Sequence, residues 1–313
     1  MQDKHQSFSS IENLLEALEA HQYVTDRALA TVIYLAYHMK RPLFLEGEPG
    51  VGKTEVALVL SRILKARLIR LQCYEGLDAA SALYEWNYPK QLLRIRMEEQ
   101  CRRSPDEIGQ VIYTEQYLIK RPLLEAIQSA EKNSPVLLID ELDRADEEFE
   151  AFLLEILSDF QISIPEIGTL KATHRPMVVL TSNRTREVHE ALKRRCLYHW
   201  IEYPEPEKEL QILRARAPAI NQILANQVVG FVKRLRQEDF IKKPGISETL
   251  DWVEALVKLN RTVLDPLTVE QTLGCLLKYR EDIQRFRSGL WSDPMERDRL
   301  LGCEDFSQKA HIS

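Results

Sequence analysis

An apolar run that leads into a glycine-rich loop constrains this chain more than any other feature. Residues 43–45, Leu-Phe-Leu, form a short apolar run that ends at Gly47, which predicts a buried strand followed by a turn. Helical periodicity begins directly after the loop and extends over residues 54–64. We therefore expect a loop that is held between a buried strand and the N-terminus of a helix.

The loop itself matches the pattern G-x-x-x-x-G-K-[ST] at every position. Its glycines allow backbone N–H groups to turn toward phosphate oxygens, and the following helix presents the positive end of its dipole to them. Lys53 can reach the β- and γ-phosphates of a nucleotide, and the Thr54 hydroxyl can take one ligand position on Mg²⁺. The predicted phosphate-binding residues are Gly47, Glu48, Pro49, Gly50, Val51, Gly52, Lys53 and Thr54.

Two consecutive acids follow another apolar run. Residues 136–139, Val-Leu-Leu-Ile, predict a buried strand that ends in Asp140 and Glu141. This arrangement places Asp140 near the Mg²⁺ and Glu141 where it can polarise a water for in-line attack. Acid pairs are common on surface loops, but this pair lies about 87 residues after Lys53 in a chain that already has a phosphate loop. The pair favours a hydrolase over a small-molecule kinase, which does not need a water-polarising glutamate.

A further apolar strand also ends in polar residues. Residues 178–180, Val-Val-Leu, precede Thr181, Ser182 and Asn183. Asn183 can orient the attacking water or contact the γ-phosphate. Ser and Asn are also favoured wherever a strand runs into a turn. The residues alone leave both interpretations open.

A basic cluster follows a predicted short helix. Residues 191–196 read Ala-Leu-Lys-Arg-Arg-Cys, with Arg194 and Arg195 side by side. A solvated run of charge is the usual explanation of such a cluster. The alternative is an arginine finger, a side chain that enters the nucleotide site of a neighbouring subunit.

Strands and helices alternate through the first two thirds of the chain. Further strands are predicted over 68–71 and 177–181, and a helix over 147–160. Such alternation is typical of an α/β fold, a parallel sheet flanked by helices on both faces. After residue 204 only helices are predicted, over 208–216, 220–237, 248–259 and 269–286. We expect an α/β nucleotide-binding domain at 1–204, a small all-α lid domain at 205–286 and a loosely held C-terminal tail at 287–313.

Composition narrows the choice of partners and location. The 42 Lys+Arg against 48 Asp+Glu give a net charge of −6, so the chain as a whole does not attract nucleic acid or an anionic membrane. No apolar run approaches the roughly 18 residues that span a bilayer. The five cysteines are scattered and odd in number, which argues against a disulfide framework. We expect a soluble cytoplasmic protein without a nucleic-acid partner.

Taken together, these motifs resemble those of an AAA+ ATPase. The phosphate loop, the Asp-Glu strand, the Thr-Ser-Asn strand, the Leu-x-Arg-Arg cluster and the helical domain occur in the same order. Longer strings are similar to the MoxR branch and, within it, to the CoxD-type ATPases linked to maturation of carbon monoxide dehydrogenase. The similarity covers about residues 20–285. The strings are 71–78 (LQCYEGLD), 83–88 (LYEWNY), 140–146 (DELDRAD) and 192–198 (LKRRCLY).

This resemblance implies an assembly and a set of roles. It implies a homo-oligomeric ring, usually a hexamer, that binds ATP with Mg²⁺ at its subunit interfaces. It assigns the sensor 1 role to Asn183 and the arginine finger to Arg195, with Arg194 as the close alternative. Residues 77–100 cover the helix-2 insert of this clade, and 159–176 match its β-hairpin insert.

One departure from the family pattern concerns the lid. The family places a sensor 2 arginine in a Gly-x-Ser-x-Arg string, whereas residues 245–249 read Gly-Ile-Ser-Glu-Thr. Thr249 therefore stands where an arginine is expected. Either another basic residue such as Lys243 substitutes for it, or coupling of the lid to the γ-phosphate is weak.

Two classes of function follow from the resemblance and the composition. MoxR ATPases typically work with a von Willebrand factor A domain protein to mature or activate metalloenzymes, which implies a chaperone-like role here. The alternative is an AAA+ motor or switch that acts on nucleic acid. The acidic net charge and the absence of a recognisable helix-turn-helix or zinc-finger motif argue against that alternative.

Overall fold

The computed structural model describes residues 8–100, 109, 111–129 and 134–302, without the side chains of residues 99 and 100. Of the predicted tail, residues 303–313 lie outside the described residues. By their contacts, the described residues divide into two compact units. The first unit contains residues 8–17, 27–47 and 53–200, and the second contains residues 18–26, 48–52 and 201–302.

A five-stranded sheet is the centre of the first unit, with the strand order β2-β5-β8-β1-β9. The pairs β2·β5, β5·β8 and β8·β1 are all parallel. Because β1, β5 and β8 are buried along their whole length, they read as continuous apolar runs in the sequence. The strands within the described ranges are β1 (Leu43–Gly47), β2 (Leu68–Gln72), β3 (Tyr84–Trp86), β4 (Leu118–Lys120), β5 (Val136–Asp140), β6 (Gln161–Ile164), β7 (Gly168–Lys171), β8 (Met177–Ser182) and β9 (Leu197–Ile201).

Helices pack on this sheet through regularly spaced apolar residues. The helix α7 (Glu147–Asp159) illustrates why they form, since the Asp146 side chain accepts a hydrogen bond from the Phe149 amide at 2.8 Å and caps the helix. Phe149 and Leu153 then lie one turn apart on its buried face. The α/β class predicted from the sequence is confirmed. The other helices before residue 200 are α1 (Ile11–Ala20), α2 (Arg27–Met39), α3 (Lys53–Ile63), α4 (Ala79–Leu83), α5 (Tyr88–Gln100), α6 (Pro122–Ile127) and α8 (Glu190–Arg195).

Two small antiparallel sheets were only partly foreseen. The strands β6 and β7 form a hairpin within the segment 159–176, with Gln161 paired to Lys171 and Ile164 to Gly168. The strands β3 and β4 form the other pair, with Tyr84 opposite Lys120 and Trp86 opposite Leu118. Each has only three residues, which is too short to produce a recognisable periodicity.

The second unit is helical and is built around its own core. Phe231 and Trp252 lie at the centre of this core, and neither exposes more than a trace of its surface. One predicted helix, 269–286, is wrong in extent, because the chain leaves the helix near Gly274, a residue of low helix propensity. The helices of this part are α9 (Pro206–Arg216), α10 (Gln222–Gln237), α11 (Ile246–Lys258), α12 (Pro266–Thr272), α13 (Arg280–Arg285) and α14 (Pro294–Leu301).

The prediction of a loosely held tail from residue 287 is wrong for its first part. Leu300 of α14 is completely buried, and its carbonyl accepts a hydrogen bond from Arg234 at 2.9 Å. Arg299 forms an ion pair with Glu238 at 2.6 Å. This helix has few apolar positions, so its sequence shows no amphipathic pattern even though one leucine anchors it.

Candidate active site

The predicted site residues lie where neighbouring strands of the sheet end. Strand β1 leads into the phosphate loop, β5 ends at Asp140, and β8 ends at Ser182, directly before Asn183. Because these strands are parallel neighbours, their carboxyl ends meet at one edge of the sheet. This is the edge at which open α/β sheets bind ligands.

The backbone of the phosphate loop adopts conformations that require glycine. Gly50 and Gly52 adopt φ values of +81° and +96°, which residues other than glycine rarely adopt. Helix α3 begins at Lys53, so the first amides of that helix follow directly on the loop. The Lys53 ammonium is buried and donates a hydrogen bond to the Gly47 carbonyl at 2.8 Å.

Within the second unit, residues 48–52 pack against the turn that begins α11. The Gly50 carbonyl accepts a hydrogen bond from the Ser247 amide at 3.3 Å. A Cβ atom added to Gly50 would lie 2.8 Å from a carboxylate oxygen of Glu248. A Cβ atom added to Gly245 would lie 2.9 Å from the Pro49 carbonyl oxygen. Close packing against backbone therefore requires glycine at position 245, whereas at position 50 the positive φ strains any other residue.

Asp140 is the most heavily bonded of the predicted residues. Its carboxylate is 2% exposed and accepts hydrogen bonds from the Thr54 hydroxyl at 3.1 Å and from the Thr181 hydroxyl at 2.5 Å. Arg70 of β2 donates two further hydrogen bonds to the other carboxylate oxygen, at 2.6 and 3.1 Å. The buried charge is thus paired and its lone pairs are used, as a buried carboxylate requires.

The Glu141 carboxylate is fixed by side chains from β2 and from the turn that follows β5. The side chain of Gln72, two residues after Arg70 on β2, donates to the Glu141 carboxylate at 3.0 Å. Arg144 forms an ion pair with Glu141 at 2.9 Å. The Glu141 backbone is in the left-handed region, with φ of 55°, and its amide donates to the Thr181 hydroxyl at 3.0 Å. A left-handed conformation at a residue other than glycine is strained, and such residues cluster at functional sites.

The donor set around Thr54 and Asp140 fits a magnesium ion. A hydroxyl and a carboxylate oxygen lie 3.1 Å apart, and oxygen ligands are what Mg²⁺ prefers. No cluster of three or more His, Cys, Asp or Glu residues that could hold a metal is found in the part of the chain that the structure describes. Mg²⁺ is usually bound through one or two protein oxygens together with substrate phosphates and water.

Asp143 fixes the loop that carries Asn183. It is 3% exposed and accepts hydrogen bonds from the Asn183 amide at 3.1 Å, the Thr185 amide at 2.9 Å and the Thr185 hydroxyl at 2.6 Å. The Asn183 side-chain amide has no hydrogen-bond partner among the described residues. The backbone of Asn183 is therefore fixed while its side chain remains available to a ligand.

We expect that replacing Asp143 with asparagine destabilises the protein by about 1–3 kcal/mol at neutral pH, because an amide donor would then face the amide and hydroxyl donors of Thr185. Burial raises the pKa of Asp143, but the hydrogen bonds from Thr185 and the backbone outweigh burial and leave this pKa below its ordinary value. The stabilisation is therefore present above about pH 4 and is lost as the pH falls through the pKa of the folded state.

Urea unfolding at pH 7 and at pH 3 measures this difference. The free-energy gap between wild type and Asp143→Asn should be large at pH 7 and should narrow at pH 3. Glu187→Gln serves as a control, since that side chain is 85% exposed. A gap that is equal at the two pH values would contradict the assignment.

The two candidate arginines differ in their surroundings. Arg194 is paired with Glu190 of the same helix, at 2.6 Å. The Arg195 side chain is exposed and has no ion-pair or hydrogen-bond partner within the described ranges. Of the two, Arg195 has the side chain that is free to reach another molecule.

The position expected for a sensor 2 arginine is buried in the second unit. Thr249 is completely buried, and its hydroxyl lies 3.0 Å from the Gly245 carbonyl and 3.1 Å from Glu209. Arg236 fills the space beside it and forms two hydrogen bonds of 2.8 Å with Glu209. Lys243 is half-buried and has no ion-pair partner among the residues that the structure describes.

The sequence did not single out several residues that hold the site. Arg70 and Gln72 have one weak signal in the sequence. They alternate with the buried Ile69 and Leu71, so both lie on the same, more exposed face of β2. Thr181 was recognised only as part of a strand end. Asp143 and Thr181 each contact residues about 40 positions away along the chain, and no local pattern reveals such pairs.

Three adjacent parallel strands are followed by a phosphate loop, an acid pair and a polar residue. This arrangement is typical of the site of a P-loop nucleoside triphosphatase. Comparison with known families agrees, since residues 42–196 match the family model described as the AAA domain of the dynein-related subfamily. These residues form an AAA domain, and the chain has the AAA+ P-loop fold.

Individual proteins similar to this chain were also found. The chain is 24% identical to an uncharacterized protein of Staphylococcus epidermidis over 77% of this chain and 90% of that protein. It is 24% identical to one from Staphylococcus haemolyticus over 80% of this chain and 94% of that protein. Among solved structures it is similar to RuvB of Thermotoga maritima, a Holliday-junction branch migration motor. That match has a TM-score of 0.42 and 17% identity, and covers 84% of this chain and 66% of RuvB.

Among the described residues, no helix is both long enough and apolar enough to cross a bilayer.

Proposed function

We propose that this protein is a Mg²⁺-dependent ATPase that hydrolyses ATP to ADP and phosphate. The observation that carries the proposal is that Gly47, Asp140 and Ser182 end three adjacent parallel strands, with Thr54 hydrogen-bonded to Asp140 and with Glu141 and Asn183 directly after their strands. Each group has the chemistry that its role needs. The loop supplies backbone donors for phosphate oxygens, and Lys53 supplies a cation beside them.

The acids and Asn183 divide the work at the γ-phosphate. Thr54 and Asp140 hold Mg²⁺, which when bound neutralises charge on the phosphates. Glu141 accepts a hydrogen bond from the attacking water and polarises it. Asn183 orients the same water or contacts the γ-phosphate through its unpaired amide. Gln72 and Arg144, which hold the Glu141 carboxylate, position it for this contact.

We propose that Arg195 acts in a neighbouring subunit's site, within a homo-oligomeric ring that is usually hexameric in the MoxR family. Its exposed and unpaired side chain supports this role, because an arginine finger must leave its own subunit to reach a γ-phosphate. The pairing of Arg194 with Glu190 supports Arg195 over Arg194.

We further propose a MoxR-type, CoxD-like role in maturing or activating a metalloenzyme client, together with a von Willebrand factor A domain partner, in the cytoplasm. The similar strings at 71–78, 83–88, 140–146 and 192–198 support this branch. The free cysteines at positions 73, 196 and 275 suit a reducing compartment. The net charge of −6 supports a protein client over nucleic acid.

A stimulation assay tests this proposal. Phosphate release by the purified protein is measured alone, with an A-domain protein that co-purifies with it, and with duplex or single-stranded DNA. We expect Mg²⁺-dependent turnover that rises with the A-domain protein and does not change with DNA. Stimulation by DNA alone would favour the nucleic-acid alternative, and an absence of Mg²⁺-dependent turnover in every condition would contradict the ATPase assignment.

A further inference from the structure

The helix that carries Arg194 and Arg195 cannot hold its own position. Helix α8 (Glu190–Arg195) has six residues, well below the roughly 12–15 at which isolated helices become even marginally stable. Its last carbonyl groups also have no partner within the helix. The direction in which Arg195 points therefore depends on residues outside the helix.

Arg41 supplies the contacts at the C-terminal end of this helix. Its guanidinium donates to the Arg194 carbonyl at 2.7 Å, the Arg195 carbonyl at 3.2 Å and the Cys196 carbonyl at 3.3 Å. Arg41 lies about 154 residues earlier in the chain, between α2 and β1. A planar guanidinium has five donors in a fixed geometry, so one side chain can hold three consecutive carbonyls.

Two more contacts hold the helix elsewhere. Where the helix begins, the Glu150 carboxylate accepts a hydrogen bond from the His189 amide at 2.6 Å. Glu150 is 1% exposed. Lys193 in the middle of the helix lies 3.4 Å from the buried carboxylate of Glu46. Of these side-chain contacts, the hydrogen bond from Arg41 to the Arg195 carbonyl is the one that falls on the backbone of Arg195 itself.

We infer that Arg41 is a positioning residue for Arg195. It fixes the backbone of Arg195 so that the unpaired side chain projects in a defined direction. Arg41 precedes β1, whereas the phosphate loop follows β1, about 17 Å of extended strand away. A change at Arg41 should therefore impair the arginine finger that a subunit inserts into its neighbour's site. The nucleotide site of the changed subunit itself should be unaffected. This inference rests on the proposed role of Arg195 in a neighbouring site.

The test combines turnover, ATP binding and mixing of variants. We expect Arg41→Ala to lower turnover about 10- to 100-fold, because a misplacement of about 1 Å can cost about 100-fold in rate. ATP binding should stay within about twofold of wild type. Arg41→Lys should show a smaller loss, since one ammonium cannot bridge three carbonyls. Arg27→Ala is the matched control, because the Arg27 guanidinium is exposed and, among the residues that the structure describes, pairs with the exposed Glu12 alone.

Mixing distinguishes positioning from a general structural role. Lys53→Ala subunits have an empty nucleotide site but an intact Arg195, so adding them to Arg41→Ala subunits should restore turnover. Adding Arg195→Ala subunits to Arg41→Ala subunits should not. In an Arg195→Ala background, Arg41→Ala should cause no further loss.

Each other outcome overturns a defined statement. Wild-type turnover in Arg41→Ala, or a loss that Lys53→Ala subunits do not rescue, overturns the inference about Arg41. If Arg195→Ala itself is not rescued by Lys53→Ala subunits, the proposed role of Arg195 fails instead.

Discussion

Replacing Glu141 with glutamine should leave ATP bound while slowing its hydrolysis by about 10²- to 10⁴-fold, the usual contribution of a positioned acid or base. The amide has nearly the same shape as the carboxylate, but it carries no negative charge and cannot accept a proton from water. Among the described residues, the Glu141 carboxylate contacts Gln72 and Arg144 and forms no hydrogen bond or ion pair with Lys53 or Thr54, so ATP binding should be spared.

Equilibrium binding of a fluorescent ATP analogue, measured beside phosphate release, separates the two effects. Glu148→Gln is the control, because Glu148 is an exposed glutamate in the first turn of α7. A loss of binding in Glu141→Gln as large as its loss of turnover would contradict the role given to Glu141.

Replacing Arg195 with alanine should lower turnover by about 10³- to 10⁵-fold, the effect of arginine fingers in other nucleotide hydrolases. An arginine finger stabilises charge on the γ-phosphoryl group during transfer and contributes less to binding of the ground state. Arg195→Ala should therefore still bind ATP. Arg194→Ala should have a much smaller effect, because Arg194 is already paired with Glu190.

Mixing two inactive variants shows whether Arg195 acts between subunits. Lys53→Ala should not bind ATP tightly but keeps a working Arg195, and Arg195→Ala keeps a working phosphate loop. In a mixed ring some interfaces combine the intact loop with the intact arginine, so turnover should reappear. If mass measurements confirm subunit exchange and turnover stays at background, Arg195 does not act between subunits.

The α/β class and the phosphate loop could be predicted from sequence because they depend on local patterns. A strand buried on both faces reads as an apolar run, and the loop needs glycine and lysine at fixed spacing. The acids Asp140 and Glu141 were found in the same way, since they directly follow such a strand.

The supporting contacts could not be predicted, because they join residues that are far apart in the sequence. Arg70 reaches Asp140 across 70 residues, and Arg41 reaches Arg195 across 154. These pairs form only when β2 lies beside β5 and when the chain between α2 and β1 lies beside α8. Strand β9 was also missed, since its partly exposed polar residues hide its place at the sheet edge.

The choice between Arg194 and Arg195 shows what side-chain geometry adds. The family resemblance assigns the arginine finger to Arg195, with the adjacent Arg194 as the close alternative. The ion pair of Arg194 with Glu190 engages one of them, and the exposed Arg195 remains unpaired within the described chain.

The most direct test of the central claim is a structure of the Glu141→Gln protein with ATP and Mg²⁺, determined by cryo-electron microscopy. The account predicts triphosphate density against the backbone of residues 47–54 with Lys53 beside the β- and γ-phosphates. It also predicts Mg²⁺ at Thr54 and Asp140, with Glu141→Gln and Asn183 facing the γ-phosphate. Nucleotide density at any other place, or an empty phosphate loop at saturating ATP, would contradict it.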